Sequence, residues 1–350
     1  TGTSNLIGNP YPSAINADLF LAANSSVIKG TVYLWTHNTA FANNVYTSND
    51  YAVYNLLGGV GTSSAVNSGI NNAKPNGKIA SGQAFFVKGI NGGGNAVFNN
   101  SMRIVGQNAS FFKSNGIQNT KSLAAIEKHR IWLNLSNNQG AFKQILIGYA
   151  TGASSNEDDL LDAKSFNGNV FLDFYSLNQE TKLVIQARAL PFEETDEVLL
   201  GYKAAIEGIF SINIDEVDGV LKNQSVFIED KQMNIIHDLQ KEAYSFFTEK
   251  GLFNDRFVLR YKDRNLGISA VDQKENTVLI FHNDKQIQIS SLEEMIDKVI
   301  VYNLSGKQVY QKIDVNCKEL TVFDLDSSHQ MSLVKTTLQN GKTVTGKIMY

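Results

Sequence analysis

The sequence is poor in the residues that mark several classes of protein. It has one cysteine, Cys317, so no disulfide can form within the chain and a paired C-x-x-C metal or redox motif is excluded. Four prolines argue against collagen-like or proline-rich character. Charged residues make up 19% of the chain, below the usual quarter, and the net charge is −3. That balance gives no electrostatic ground for binding nucleic acid or an anionic membrane. No apolar run approaches the roughly 18 residues that a membrane-spanning helix needs. H-E-x-x-H and G-x-S-x-G are both missing. The opening TGTSNLIGNP has neither a basic n-region nor an apolar h-region, and we read the 350 residues as the tail of a longer product.

What is present is strand pattern. Hydrophobic residues reach 43%, enough for real cores. The segments TVYLWTHN (31–38), YAVYNL (51–56) and QAFFVKG (83–89) are short, aromatic and β-branched, with Gly/Asn/Ser-rich stretches between them. One such stretch, GGVGTSS, lacks the third glycine and the βαβ setting of a dinucleotide loop and reads as a flexible loop. SNGIQNTKS (114–122) is a linker candidate. Beyond it come HRIWLNLS, FKQILIGYA, NVFLDFYS, TKLVIQARA, IFSINIDEV and further strands at near-regular spacing, the signature of a sandwich or jelly roll. NEDDLLDAKSF (156–166) reads as a short helix, capped by Asn156.

KDRNLGIS (262–269) is the next linker. Seven strand candidates follow: 277–282, 286–290, 298–303, 308–313, 319–324, 331–337 and 343–349. Asn340-Gly341 is a hairpin signal, because both residues tolerate positive φ, and Gly306 in NLSGKQ is another. The expected fold is all-β, with tandem β-sandwich or jelly-roll-like domains ending in a small seven-stranded immunoglobulin-like sandwich. The expected domains are 1–113, 123–262 and 268–350.

Chemistry is harder to find. His37, His129, His237, His282 and His329 share no ligand spacing, and Cys317 reads as a structural thiol. Asp158, Asp159 and Asp162 could hold calcium, although the regular acidic register is missing and a solvated helix start is the competing reading. Glu193, Glu194 and Asp196 in FEETDE could pair for glycoside hydrolysis, against solvated loop acids. Tyr33, Trp35, Tyr51 and Tyr54 could stack on sugar, or simply fill a core. No metal or cofactor is expected, and no enzymatic activity.

The last block, DKVIVYNLSGKQVYQKIDVNCKELTVFDLDSSHQMSLVKTTLQNGKTVTGKIMY (297–350), resembles the C-terminal sorting domain of the bacterial type IX secretion system of Bacteroidota. Strand-turn-strand VIVYNLSGKQVYQ, then LTVFDL, then LVKTTLQNGKTVTGKI carry the likeness. SSHQMSLVK departs from the commonest subtype and resembles the variant called type C. Upstream segments such as NLIGNPYPSAIN and SGQAFFVKG are similar to modules that precede this tail in large flavobacterial surface proteins. The resemblance implies export across the outer membrane to the surface. It also implies two partners, an outer-membrane shuttle barrel of the PorV type and a translocon barrel of the SprA type. The upstream domains would be adhesive or spacer modules, with a cell-surface or environmental glycan as a further partner. An accessory tail of a polysaccharide hydrolase is the alternative. The residues that match the family's pattern are Lys335, Gly341, Lys347 and Tyr350, with Asn303, Gly306 and Lys307 shaping the first hairpin.

Overall fold

In the computed structural model, the residues described are 3–36, 51–63, 74–108, 126–166, 171–263, 278–283, 286–292, 294–303, 307–323 and 331–349. Strand dominates, in five sheets, and the fold is the all-β one expected. The chain divides into two compact units, Thr1–Asp263 and Arg264–Tyr350.

In the first unit, Ser4–Gly8, Ala84–Gly89, Ile28–Trp35, Tyr51–Asn55 and Gly59–Val60 lie side by side as a five-stranded sheet. The helix Ala17–Ala23 packs on it through Phe20 and Leu21, and its N-cap, Asn16, accepts from the Asp18 and Leu19 amides. A twelve-stranded sheet follows the later segments. Its ends curl toward each other, since the Tyr244 hydroxyl on the terminal strand Tyr244–Thr248 donates at 2.9 Å to Asp230 on Phe227–Asp230, one strand in from the other edge. Between them lies an aromatic core that includes Phe174, Tyr202, Phe246 and Phe257.

Segments 1–113 and 123–262, expected as separate domains, fall within this one unit. The reason is that the central strands of the large sheet are apolar on both faces. On Lys128–Asn137, Ile131, Leu133 and Leu135 face the aromatic core, whereas Trp132 joins the core of the first segment. Leu146 alternates with Ile145 and Ile147 in the same way. A sheet face of that kind needs a covering layer, and residues 3–108 supply it. The linker candidate 114–122 lies outside the described residues.

Two local expectations are corrected. The start of GGVGTSS is not a loose loop: Gly59–Val60 and Thr62–Ser63 are strand, and Thr62–Ser63 pairs with Phe142 and Lys143 of the large sheet. A Cβ on Gly59 would lie 2.2 Å from the Pro75 carbonyl oxygen, so glycine is what lets the two backbones meet. NEDDLLDAKSF does not form a helix; it makes one helical turn, with the Asp162 amide on the Asp158 carbonyl at 2.8 Å, then a short strand at Ala163–Lys164. Asp158 and Asp162 side chains take up nearby backbone N–H groups, the usual way short acids compete with helix.

The second unit is a two-sheet sandwich. Val278–Asn283, Gln286–Ser291 and Glu319–Phe323 form one sheet in that order; Gln308–Lys312, Ile296–Asn303, Met331–Leu338 and Thr343–Met349 form the other. All seven expected strands appear. One core joins them, built of Ile280, Ile287, Ile289, Val299, Val301, Val322, Val334 and Ile348 among others.

Candidate functional site

The residues that the sequence pattern singled out gather around two hairpins of the four-stranded sheet. In the first, strands Ile296–Asn303 and Gln308–Lys312 are pinned at their turn by Asn303. Its amide donates to the Lys307 carbonyl at 3.0 Å, and its side-chain oxygen accepts from the Lys307 amide at 2.9 Å. Gly306 lies outside the described residues.

The second hairpin joins Met331–Leu338 to Thr343–Met349. Only Gly341 takes positive φ, at 83°; Asn340 does not, so this is a three-residue loop rather than a two-residue Asn-Gly turn. The Gly341 amide bonds the Leu338 carbonyl at 2.9 Å, and Asn340 uses its side chain to accept from the Lys342 amide at 2.9 Å. Lys335 is exposed, flanked across the sheet by Ile300 and Thr345. Lys347 falls opposite Leu333 by register. Tyr350 is outside the described residues. Among the described residues the last strand sits at the sheet edge, pairing only with Met331–Leu338. It is anchored from one face: Ile348 is buried, Val344 packs on the core, and a Cβ on Gly346 would come within 2.8 Å of Ile280 Cδ1.

The other candidates are structural where the structure describes them. Asp159 pairs with Lys29 at 2.6 Å; Asp158 accepts from the Ser154 amide and hydroxyl; Asp162 accepts from the Ala187 and Asp158 amides. The three carboxylates thus hold the 154–162 turn against its neighbours. Burial, reinforced by the Asp158 and Glu157 charges, raises the Asp162 pKa to about 6. In FEETDE, Asp196 is claimed by Arg188 and the Tyr149 hydroxyl, and Glu194 by Lys262. Tyr33 is buried against Phe166, and Tyr54 gives its hydroxyl to Asp18 at 2.8 Å. Trp35 is 43% exposed. His129 bonds Glu127 and the Val220 amide, and His237 the Glu242 carbonyl. His37 and His329 are outside the described residues. Cys317 is exposed, with its thiol on the Glu319 carbonyl.

Sequence reasoning missed the seam under the glycine segment. There the Trp132 indole donates to the Gly59 carbonyl at 2.8 Å and Arg130 to the Leu57 carbonyl at 2.7 Å, while the Gln144 side chain accepts from the Gly61 amide. The available signal was a tryptophan, Trp132, alternating with Ile131 and Leu133 and so apolar on the second face of its strand.

Fold and site together define a two-unit, all-β chain with a terminal sandwich. Family comparison divides it at nearly the same place: residues 1–261 match the family described as domain of unknown function DUF8693, and residues 266–350 match domain of unknown function DUF8694. The chain belongs to the DUF8693 family. No curated protein matches it.

Proposed function

We propose that the second unit is an export address of the type IX secretion kind. It would direct a secreted or surface protein across the outer membrane through a shuttle barrel and a translocon barrel. The first unit would act as an adhesive or spacer module. The observation that carries the reading is the edge strand Thr343–Met349: its inward residues anchor it, its outer backbone edge has no partner strand among the described residues, and exposed Lys335 lies one strand in, opposite Thr345. Such an edge is a ready template for recognition by another chain, and most domains protect theirs. The resemblance of residues 297–350 to sorting domains gives that edge a role. For the first unit, the engagement of Asp196 and Glu194 by Arg188 and Lys262 favours a module over a hydrolase, because a catalytic carboxylate pair has to face substrate.

The test is export of the full chain behind a cleavable inner-membrane signal, in a host with a type IX system, scored by protease accessibility on intact cells. The full chain is expected at the surface, and a chain lacking residues 264–350 in the periplasm. Equal surface exposure of both overturns the reading. A glycan array on the exported protein then separates adhesion from spacing.

A further inference from the structure

The two outer faces of the terminal sandwich differ in charge. On the four-stranded sheet, Val299, Val301, Val334 and Ile348 point into the core, so the alternate positions face outward. Register places Lys298 and Lys335 at those alternate positions and, among the described residues of these strands, no aspartate or glutamate. The nearest carboxylate in these strands, Asp297, sits in the bulge beside Lys298. On the three-stranded sheet, the corresponding positions include Glu319 and no lysine.

Between the lysines the face is apolar. Ile300, beside Lys335, is itself buried; Tyr302 stands half-buried beside Leu333, and Leu333 is 36% exposed although it could have been polar at no cost to the core. An apolar strip within a basic, acid-free surround has the anatomy of a protein interface: the strip supplies desolvation, and the charges supply orientation and on-rate. The chain as a whole is acidic, at −3, so bulk charge does not explain this patch.

We propose that this face, centred on Tyr302 and Leu333 and flanked by Lys298 and Lys335, docks an acidic polypeptide segment that carries at least one apolar side chain. The inference rests on the export reading for where such a partner is met, and gives that partner its chemistry. The occupant is a polypeptide rather than a polyanion alone because lysines without an apolar strip would suffice for the latter.

The experiment uses the full chain in vitro and needs no secretion host, so its failure is separable from failure of the export assay. The probe is a glutamate–tyrosine copolymer, with polyglutamate, heparin and phosphatidylserine vesicles alongside. The copolymer is expected to bind more tightly than the other three, and more weakly as salt rises. K298E/K335E should weaken binding more than about tenfold, K335R should retain it, and L333S should lower copolymer binding at least about threefold while leaving heparin unchanged. Retained heat denaturation midpoints certify folding. The proposal is overturned if the copolymer does not bind, or if K298E/K335E binds it as wild type does. It is equally overturned if heparin or vesicles bind as tightly as the copolymer and L333S changes nothing.

Discussion

The two units solve the problem of burying charge differently. Every ion pair found among the described residues lies in Thr1–Asp263, and the deepest are networks rather than pairs. Arg256 and the fully buried Asp230 meet at 2.8 Å; Asp230 also accepts from the Tyr244 hydroxyl, and Arg256 donates to Tyr202 and the Phe247 carbonyl. The terminal unit has one aliphatic core and leaves Lys307, Lys312, Lys318 and Lys335 on the surface. A curled twelve-stranded sheet can enclose charges once every lone pair and N–H has a partner. A seven-stranded sandwich has too little interior for that, and depends on apolar burial alone. The lesson is that charge in the first unit specifies packing, whereas Lys307, Lys312, Lys318 and Lys335 of the second stay in solvent.

The sharpest way to break the comparison is R256M. It strands the Asp230 carboxylate in the core, and removing one partner of a buried pair costs about 3–5 kcal/mol. Both tryptophans, Trp35 and Trp132, lie in the first unit and the sole cysteine in the second, so each unit has its own reporter. Denaturation followed by tryptophan fluorescence should shift strongly, while a fluorophore on exposed Cys317 should report no change. A shift in both would show the units to be energetically coupled. The reciprocal change is I287A, in a fully buried position of the small core. It should cost about 2–5 kcal/mol, a large share of what a unit of this size possesses, and move only the Cys317 reporter.

Asp162 gives the comparison a pH axis. Its folded pKa is raised to about 6 from 3.8, first by burial and then by neighbouring acids. A raised pKa means that the folded state holds the proton more tightly than the unfolded one. The resulting stabilisation is complete below about pH 3.8 and is lost as pH rises through about 6, a difference on the order of 2–3 kcal/mol. D162N should remove that slope from the tryptophan-monitored transition between pH 4 and 6 and leave the Cys317-monitored one untouched. Parallel curves for wild type and variant would rule the group out as the titrating one.

The terminal sandwich was almost wholly legible in the sequence. Its strands are short, alternate cleanly and are separated by recognisable turns, so period alone located all seven. The first unit was legible strand by strand but not in its assembly. Which layer covers the face of Trp132 and Leu146 depends on contacts between residues more than seventy apart, as the Trp132–Gly59 bond illustrates, and local pattern carries no such information. NEDDLLDAKSF failed for a related reason: Asp158 and Asp162 satisfy the helix-start pattern, yet each spends its side chain on a backbone amide of a turn. Of the candidate site, Asn303, Lys307 and Gly341 were readable because turn chemistry is local. The acid-free face was not, since it emerges only when the register sets Lys298 and Lys335 on one side.

The smallest expected effect is also the most discriminating, because the same charge reversal can be made in both units. In the first unit, Lys74 lies 2.7 Å from Asp215 and 2.5 Å from Glu216, with its ammonium over the Trp132 ring. K74E sets a third carboxylate beside two others and removes the cation from the indole, at an expected cost of about 1–3 kcal/mol. In the second unit, Lys335 is exposed between Ile300 and Thr345, neither of which gains from its charge. K335E should therefore stay within about 0.5 kcal/mol of wild type. Its cross-strand neighbours are uncharged, so no attraction is lost, and two of the four stem methylenes still cover the sheet surface. Heat denaturation of the Cys317-labelled chain measures this directly. A loss above about 1 kcal/mol would mean that Lys335 holds the sandwich together and that its exposure is no guide to its role. A null result keeps the lysine available for a partner, and makes K335E the variant in which recognition can be lost with the fold intact.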